Sequence, residues 1–168
     1  MGGGRGQLLK WKSSGSEPVV QFFSNGISEP IFDFSWKPDQ ERVFSAACVN
    51  GLVFIFDIEP EEGEGYLKGK MMGHTGATGA VAWHPSEQRV ASGSRDRTLR
   101  IWDPVGQEQL VSLHGHSTPL SALDWGPKGE KLLSAGVDGR VLMWDSSKGR
   151  SKESPIEKGR GQESSRKE

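Results

Sequence analysis

Four residue types that can do chemistry together recur in this chain at fixed spacing. His74, Ser92, Asp96 and Trp102 stand in the same relative places as His116, Ser134, Asp138 and Trp144, 42 residues downstream. In both copies a Gly precedes the His, and an Asp follows a Trp that lies 28 residues after that His. A hydroxyl, an imidazole and a carboxylate are the parts of nucleophilic acyl transfer, with serine attacking, histidine taking the proton and aspartate orienting the ring. Duplication argues against that chemistry, because a nucleophile has no need to stand inside two consecutive units. A buried hydrogen-bond set that builds a repeated unit would recur in just this way. The structural reading is therefore preferred.

The remaining candidates are weaker. His84 precedes Pro85 at a turn and His114 precedes Gly115 in a loop, places typical of solvated or capping histidines. The four histidines have no zinc spacing and no Cys pair beside them, since Cys48 is the single cysteine. Cys48 alone also excludes an intramolecular disulfide framework and reads as a small core residue. The glycines between Gly2 and Gly6 do not follow a strand and open a helix, so they read as a turn and not as a phosphate loop. No cofactor or metal is expected.

The elements that would position these residues are short strands. Residues 81–83, 89–92 and 98–102 are brief runs with β-branched and aromatic members, each bounded by Gly, Pro, Ser or Asp. About four such runs fit into each repeat. An earlier unit is worn: Trp36-Lys-Pro38 stands where the others have Trp83-His-Pro85 and Trp125-Gly-Pro127, Phe56-Asp57 replaces Trp-Asp, and Ser45 or Ala46 occupies the Ser place. Phe56 has no N–H to donate, so apolar packing must hold that unit. Asn50-Gly51 at its turn reads as a type I′ hairpin signal. Residues 3–12 align without gaps on 136–145, so the chain begins within a repeat. Glu59 to Gly65 is an acidic linker, and from Ser146 onward Ile156 is the single apolar residue, a composition that predicts disorder.

Composition bounds the partners. With 168 residues, 21 Lys+Arg and 22 Asp+Glu, the chain is near neutral and has no bulk pull toward nucleic acid or membrane. The longest apolar run, residues 52–56, is too short to cross a bilayer as a helix, and no secretory segment opens the chain. An N-myristoylation reading of Gly2 is set aside because position 6 is Gly. The expected setting is intracellular, cytoplasmic or nuclear.

With its paired Gly-His and Trp-Asp motifs at a period of about 42 to 47 residues, the chain resembles the WD40 repeat family. The resemblance implies an all-β fold of propeller blades, each of four antiparallel strands, with about three full blades and a partial N-terminal one. The expected domains are a partial propeller over 1–146, with a partial blade at 2–12 and blades at about 18–58, 66–103 and 109–146, followed by a disordered polar tail over 147–168. It further implies a buried chain from the Trp indole through Ser and His to Asp, namely Trp102, Ser92, His74 and Asp96, then Trp144, Ser134, His116 and Asp138.

Resemblance to a closed ring, usually of seven blades, leaves this chain short. Its ends are expected to be bare sheet faces carrying residues such as Phe54 and Met143. A fragment or alternative product of a longer propeller is the favoured account, ahead of a dimer of arcs or a partner that supplies blades. Family ligands dock on one face around the central channel. Carried over, the docking positions are Pro30, Phe32 and Val49, then Ala77, Gly79 and Arg95, then Pro119, Ser121 and Val137. Phe32 and Arg95 are of hot-spot type. The function implied is a non-catalytic scaffold or adaptor for a protein or peptide partner, with self-association through open blade faces. The alternative is a nucleic-acid-associated component using Arg89, Arg95, Arg97, Arg100 and the basic tail, against which the near-neutral charge counts.

Overall fold

Residues 8–11, 18–22, 29–58 and 65–146 are described by the structure, a computed structural model. They form thirteen strands: β1 (Leu8–Trp11), β2 (Pro18–Phe22), β3 (Ile31–Trp36), β4 (Val43–Cys48), β5 (Val53–Ile58), β6 (Gly65–Met71), β7 (Thr78–Trp83), β8 (Val90–Ser94), β9 (Thr98–Asp103), β10 (Glu108–His114), β11 (Leu120–Trp125), β12 (Lys131–Gly136) and β13 (Val141–Asp145). All pairings are antiparallel between chain neighbours, giving sheets β1-β2, β3 to β6, β7 to β10 and β11 to β13. The fold is all-β, a partial propeller that does not close into a ring. The acidic linker at 59–64, the glycine turn at 2–6 and the tail at 147–168 lie outside the described residues.

Sheet boundaries fall one strand later than the sequence units. β2 pairs with β1, β6 completes the sheet that begins at β3, and β10 completes the sheet that begins at β7. The first strand of each sequence unit therefore closes the preceding blade. Motif spacing marks the repeat but cannot mark where hydrogen bonding starts and stops.

Each blade turns from its second to its third strand in the same way. The amides of Gly51, Arg97 and Gly139 donate to Cys48, Ser94 and Gly136 carbonyls at 3.0–3.1 Å, and those three residues have φ of 85°, 69° and 78°. A tight turn followed by a left-handed residue is the three-residue hairpin loop. It replaces the type I′ turn expected at Asn50-Gly51, since Asn50 itself has no positive φ. The side chains of Asn50, Asp96 and Asp138 each accept the amide two residues on, from Leu52, Thr98 and Arg140 at 2.9–3.1 Å. That bond explains why Asn or Asp stands at the turn.

Blades pack face to face through β3, β7 and β11. Val43, Ala47, Val53 and Ile55 of the first blade meet Val81, Trp83, Val90 and Trp102 of the second. Ala82, Leu99 and Ile101 meet Leu120, Trp125, Leu132 and Trp144 in the same manner. Asp33 Oδ2 accepts the Val81 amide at 2.9 Å and Ser35 Oγ accepts the Trp83 amide at 3.2 Å, so side chains of one blade satisfy the open edge of the next.

The worn blade is held by aromatic packing. Register places Ala46, not Ser45, opposite Phe34 and Phe54, the place that Ser92 and Ser134 take in the other blades. Ser45 instead points to the other face and donates to the Ser35 carbonyl at 3.3 Å. Phe44 and Phe56 stack with centroids 5.1 Å apart, and Phe54 lies 6.2 Å from Phe56. Phe54 is therefore not on a bare end: it is 3% exposed, lodged in this cluster where Ala46 leaves room for its ring. Met143 is half-buried. Apolar residues that do face outward include Phe32, Phe34 and Trp36 on β3, with Leu133 and Val141 on the last sheet.

Candidate functional site

In the second blade the four motif residues form one continuous chain of donors. Trp102 Nε1–H donates to Ser92 Oγ at 2.7 Å, Ser92 lies 2.8 Å from His74 Nε2, and His74 Nδ1 lies 2.9 Å from Asp96 Oδ2. With the indole donating, the hydroxyl gives its proton to Nε2 and the ring carries its own on Nδ1. Thr98 adds a clamp, its hydroxyl donating to Asp96 Oδ1 at 2.7 Å and standing 3.2 Å from His74 Nδ1. Burial pulls the His74 pKa down by more than the Asp96 hydrogen bond and charge restore, so the ring is held neutral. Burial alone would raise Asp96. Hydrogen bonds from Thr98, His74 and the Thr75 amide outweigh it and hold the carboxyl far below the usual range.

This arrangement has no opening for a substrate. Ser92 is fully buried and its oxygen is already shared between the indole and the imidazole. The group can orient strands, and it has nothing left with which to attack a carbonyl.

The third blade departs from the expected set. Trp144 Nε1–H donates to Ser134 Oγ at 2.7 Å, and Ser134 lies 2.7 Å from His116 Nε2. His116 Nδ1, however, is buried without a partner, and Asp138 does not reach it. Asp138 instead accepts the Arg140 amide at 3.0 Å and the Ser117 hydroxyl at 3.3 Å. The reason lies in the residues around it: Arg140 replaces Thr98, and Gly136 replaces Ser94, whose hydroxyl accepts the Asp96 amide at 3.1 Å. The Thr118 hydroxyl accepts the Asp138 amide at 3.4 Å, but no hydroxyl at position 140 holds the carboxylate beside His116 as Thr98 holds Asp96. The Arg140 amide, first among its hydrogen bonds, keeps Asp138 below the ordinary range, while burial lowers His116 despite the Asp138 charge.

His84 is buried at 3% exposure, where a solvated turn residue was one expectation. Its Nδ1 accepts the Ser86 and Glu87 amides at 3.2 and 2.9 Å, and Nε2 reaches the Gly129 carbonyl of the next blade at 3.2 Å. It caps a turn and ties two blades together, edge-on to Trp125. His114 is exposed and lies 3.2 Å from Ser112 Oγ. Among the described residues no group of three His, Cys, Asp or Glu could hold a metal. None of their helices is long and apolar enough to cross a membrane.

Six of the nine expected docking positions are paired by the backbone. The amides of Val49, Arg95 and Val137 donate to the carbonyls of Pro30, Ala77 and Pro119 at 3.0, 2.8 and 3.0 Å. One link per blade thus gathers the turn and the start of the first strand at a single end of each sheet. There Phe32 is 53% exposed, Val137 is 70% exposed, and Arg95, Pro30 and Ser121 are open to solvent. Gly79, Ala77, Pro119 and Val49 are half-buried. Phe32 points outward and does not enter the core. Of the other arginines, Arg89 is paired with Glu87 at 3.0 Å and Arg100 lies over the Trp102 ring, while Arg97 is exposed.

Sequence reasoning missed one feature, a cleft at the opposite end of the strands between the first two blades, lined by Lys37, Lys68 and Trp83 among others. Its residues come from five separate segments, and no local pattern joins them.

Comparison with known proteins agrees with this architecture. A family profile described as the IFT140 first beta-propeller matches residues 28–166. Denticleless protein homolog A of Xenopus laevis is 31% identical over 99 residues, 58% of this chain and 14% of that protein. The U4/U6 small nuclear ribonucleoprotein PRP4 of Saccharomyces cerevisiae is 29% identical over 110 residues, 66% of this chain and 23% of its own length. Polyadenylation factor subunit 2 of Gibberella zeae is 38% identical over 52 residues, 31% of this chain and 8% of that protein. The chain thus corresponds to under a quarter of the length of each of these three relatives.

Proposed function

The chain belongs to the WD40 β-propeller family, in the group described as the IFT140 first beta-propeller, and from that membership we propose that it works as a non-catalytic protein-interaction scaffold. The partner is a protein or peptide held at the end of the blades where Phe32 and Arg95 stand. One observation carries the reading: a repeated backbone link ties Val49, Arg95 and Val137 to Pro30, Ala77 and Pro119, three pairs at one end of the blades, near which Phe32 and Arg95 are exposed. Rigid strands presenting such side chains are suited to a docking role, because little conformational freedom is lost on binding. Two relatives, a ribonucleoprotein and a factor subunit, are by name parts of assemblies, which supports the scaffold reading.

The test is site-specific photo-crosslinking in cells. A photoreactive phenylalanine analogue at position 32 or 95 is expected to yield a discrete protein adduct, and the same group at exposed Leu110, on the outer strand β10, is not. The same adduct from position 110, or none from 32 and 95, would overturn the assignment.

A further inference from the structure

The cleft between the first two blades is a cavity of about 350 Å³, within the size range of small-ligand and side-chain pockets. Ile55, Trp83 and Val105 supply apolar wall, and Val105 is 76% exposed. Lys37 and Lys68 bring two ammonium groups, and no carboxylate lines the cavity. The nearby Asp57 is already taken, held 2.5 Å from Arg42 Nε and 2.8 Å from Lys68 Nζ. Lys37 has no ion pair among the described residues; its Nζ stands 5.7 Å from the Trp83 ring centroid.

Two further observations bear on the chemistry of this cavity. Burial, and then the charge of Lys68, lower the Lys37 pKa by more than the charge of Asp57, which is already held by Arg42 and Lys68, restores. Trp83 is 5% exposed and its indole N–H has no acceptor. At the matching place in the next blade Trp125 donates to the Ala82 carbonyl at 3.2 Å. The carbonyl in that place on β3 belongs to Ser35 and accepts the Ser45 hydroxyl instead. Trp83, with its indole N–H unsatisfied, and Lys37, without an ion pair among the described residues, thus both line this cavity.

We infer that this cavity docks an acidic peptide segment, with a carboxylate received between Lys37 and Lys68 and an adjacent aromatic or aliphatic side chain laid against Ile55 and Val105. The inference rests on the scaffold reading, for which it names a partner chemistry, and it places a second contact surface at the end of the strands away from Phe32 and Arg95. A charge-assisted contact to the ammonium supplies selectivity, and the apolar neighbour supplies buried area.

The experiment titrates the full 168-residue chain with a capped synthetic hexapeptide carrying Glu-Phe between glycines, read at the indole N–H resonance of Trp83. Trp83→Phe identifies that resonance. A saturable shift is expected, weakened about tenfold when Gln replaces the peptide Glu and about tenfold by Lys37→Gln, while Lys37→Arg stays within about threefold. Absence of a saturable shift, equal affinity for the Gln-Phe peptide, indifference to Lys37→Gln, or equally tight binding of inorganic phosphate would each overturn the proposal. Crosslinks from positions 32 and 95 do not depend on Lys37. Loss of the cavity with crosslinks intact removes this inference alone, and loss of crosslinks with peptide binding intact removes the scaffold assignment at the other end.

Discussion

His74 Nδ1 lies 2.9 Å from Asp96 Oδ2, whereas His116, the same residue one blade later, has the corresponding nitrogen buried and unpartnered. Two copies of one motif thus differ in how completely they are closed. The closed clasp needs the Thr98 hydroxyl, and the open one has Arg140 in its place.

Ser92→Ala would leave the Trp102 N–H and His74 Nε2 buried without partners. Each orphaned group costs about 1–3 kcal/mol, so a loss of roughly 3 kcal/mol is expected in urea unfolding. Ser134→Ala should cost less, about 1–2 kcal/mol, because His116 lacks its second bond and is freer to turn. Equal losses would show that the open end of the third clasp makes no energetic difference.

Arg140→Thr should supply the missing hydroxyl, draw Asp138 toward His116, and raise stability by about 1 kcal/mol. The Nδ1 resonance of His116 should move toward that of a hydrogen-bonded ring. An unchanged or lowered unfolding midpoint would count against the hydroxyl as the deciding element.

Acidification should weaken the fold in two stages. His74 and His116 have folded pKa values below the ordinary 6.5, so the unfolded chain takes up protons first and stability falls as pH drops below that value. Asp96 and Asp57 are depressed below 3.8, so the stability they contribute is complete above that value and is lost as pH falls through the acid range. Urea midpoints at pH 7.5 and 5.5 should differ, and His74→Gln should reduce the difference. A midpoint flat over that interval would contradict the buried neutral rings.

Arg97 sits at φ 69°, where the other two blades place Gly51 and Gly139. Arg97→Gly should relieve strain of about 1 kcal/mol and raise Tm by a few degrees. A fall in Tm would mean that the Arg97 side chain contributes more than its backbone costs.

Gly129 has φ 73°, and a Cβ there would fall inside the His84 ring. Gly129→Ala should expel His84 from its place between blades and cost about 2 kcal/mol or more, with changed near-ultraviolet dichroism from Trp125. Retention of native stability would show that the two blades hold without this contact.

The recurring Gly-His and Trp-Asp pairs carried the fold by themselves, because a repeat that buries one hydrogen-bond set per unit must write the same residue types at the same spacing. The worn unit was legible too, since Phe56 cannot donate and apolar packing had to take over, which the structure supplies as an aromatic cluster. What the sequence left open depends on neighbours distant along the chain. Ser45 and Ala46 were told apart only by strand register, and Phe54, opposite Ala46, is buried by a cluster drawn from separate strands. Asp138 stayed outside where Arg140 stands in place of the Thr98 hydroxyl, a position that no motif includes. The cavity at Lys37 and Trp83 exists because two blades meet there, and the Trp83 indole lacks the cross-blade acceptor that Trp125 finds in Ala82. Local spacing determines which strands form and repeat; only packing between blades decides which polar groups end with partners and which are left to seek one.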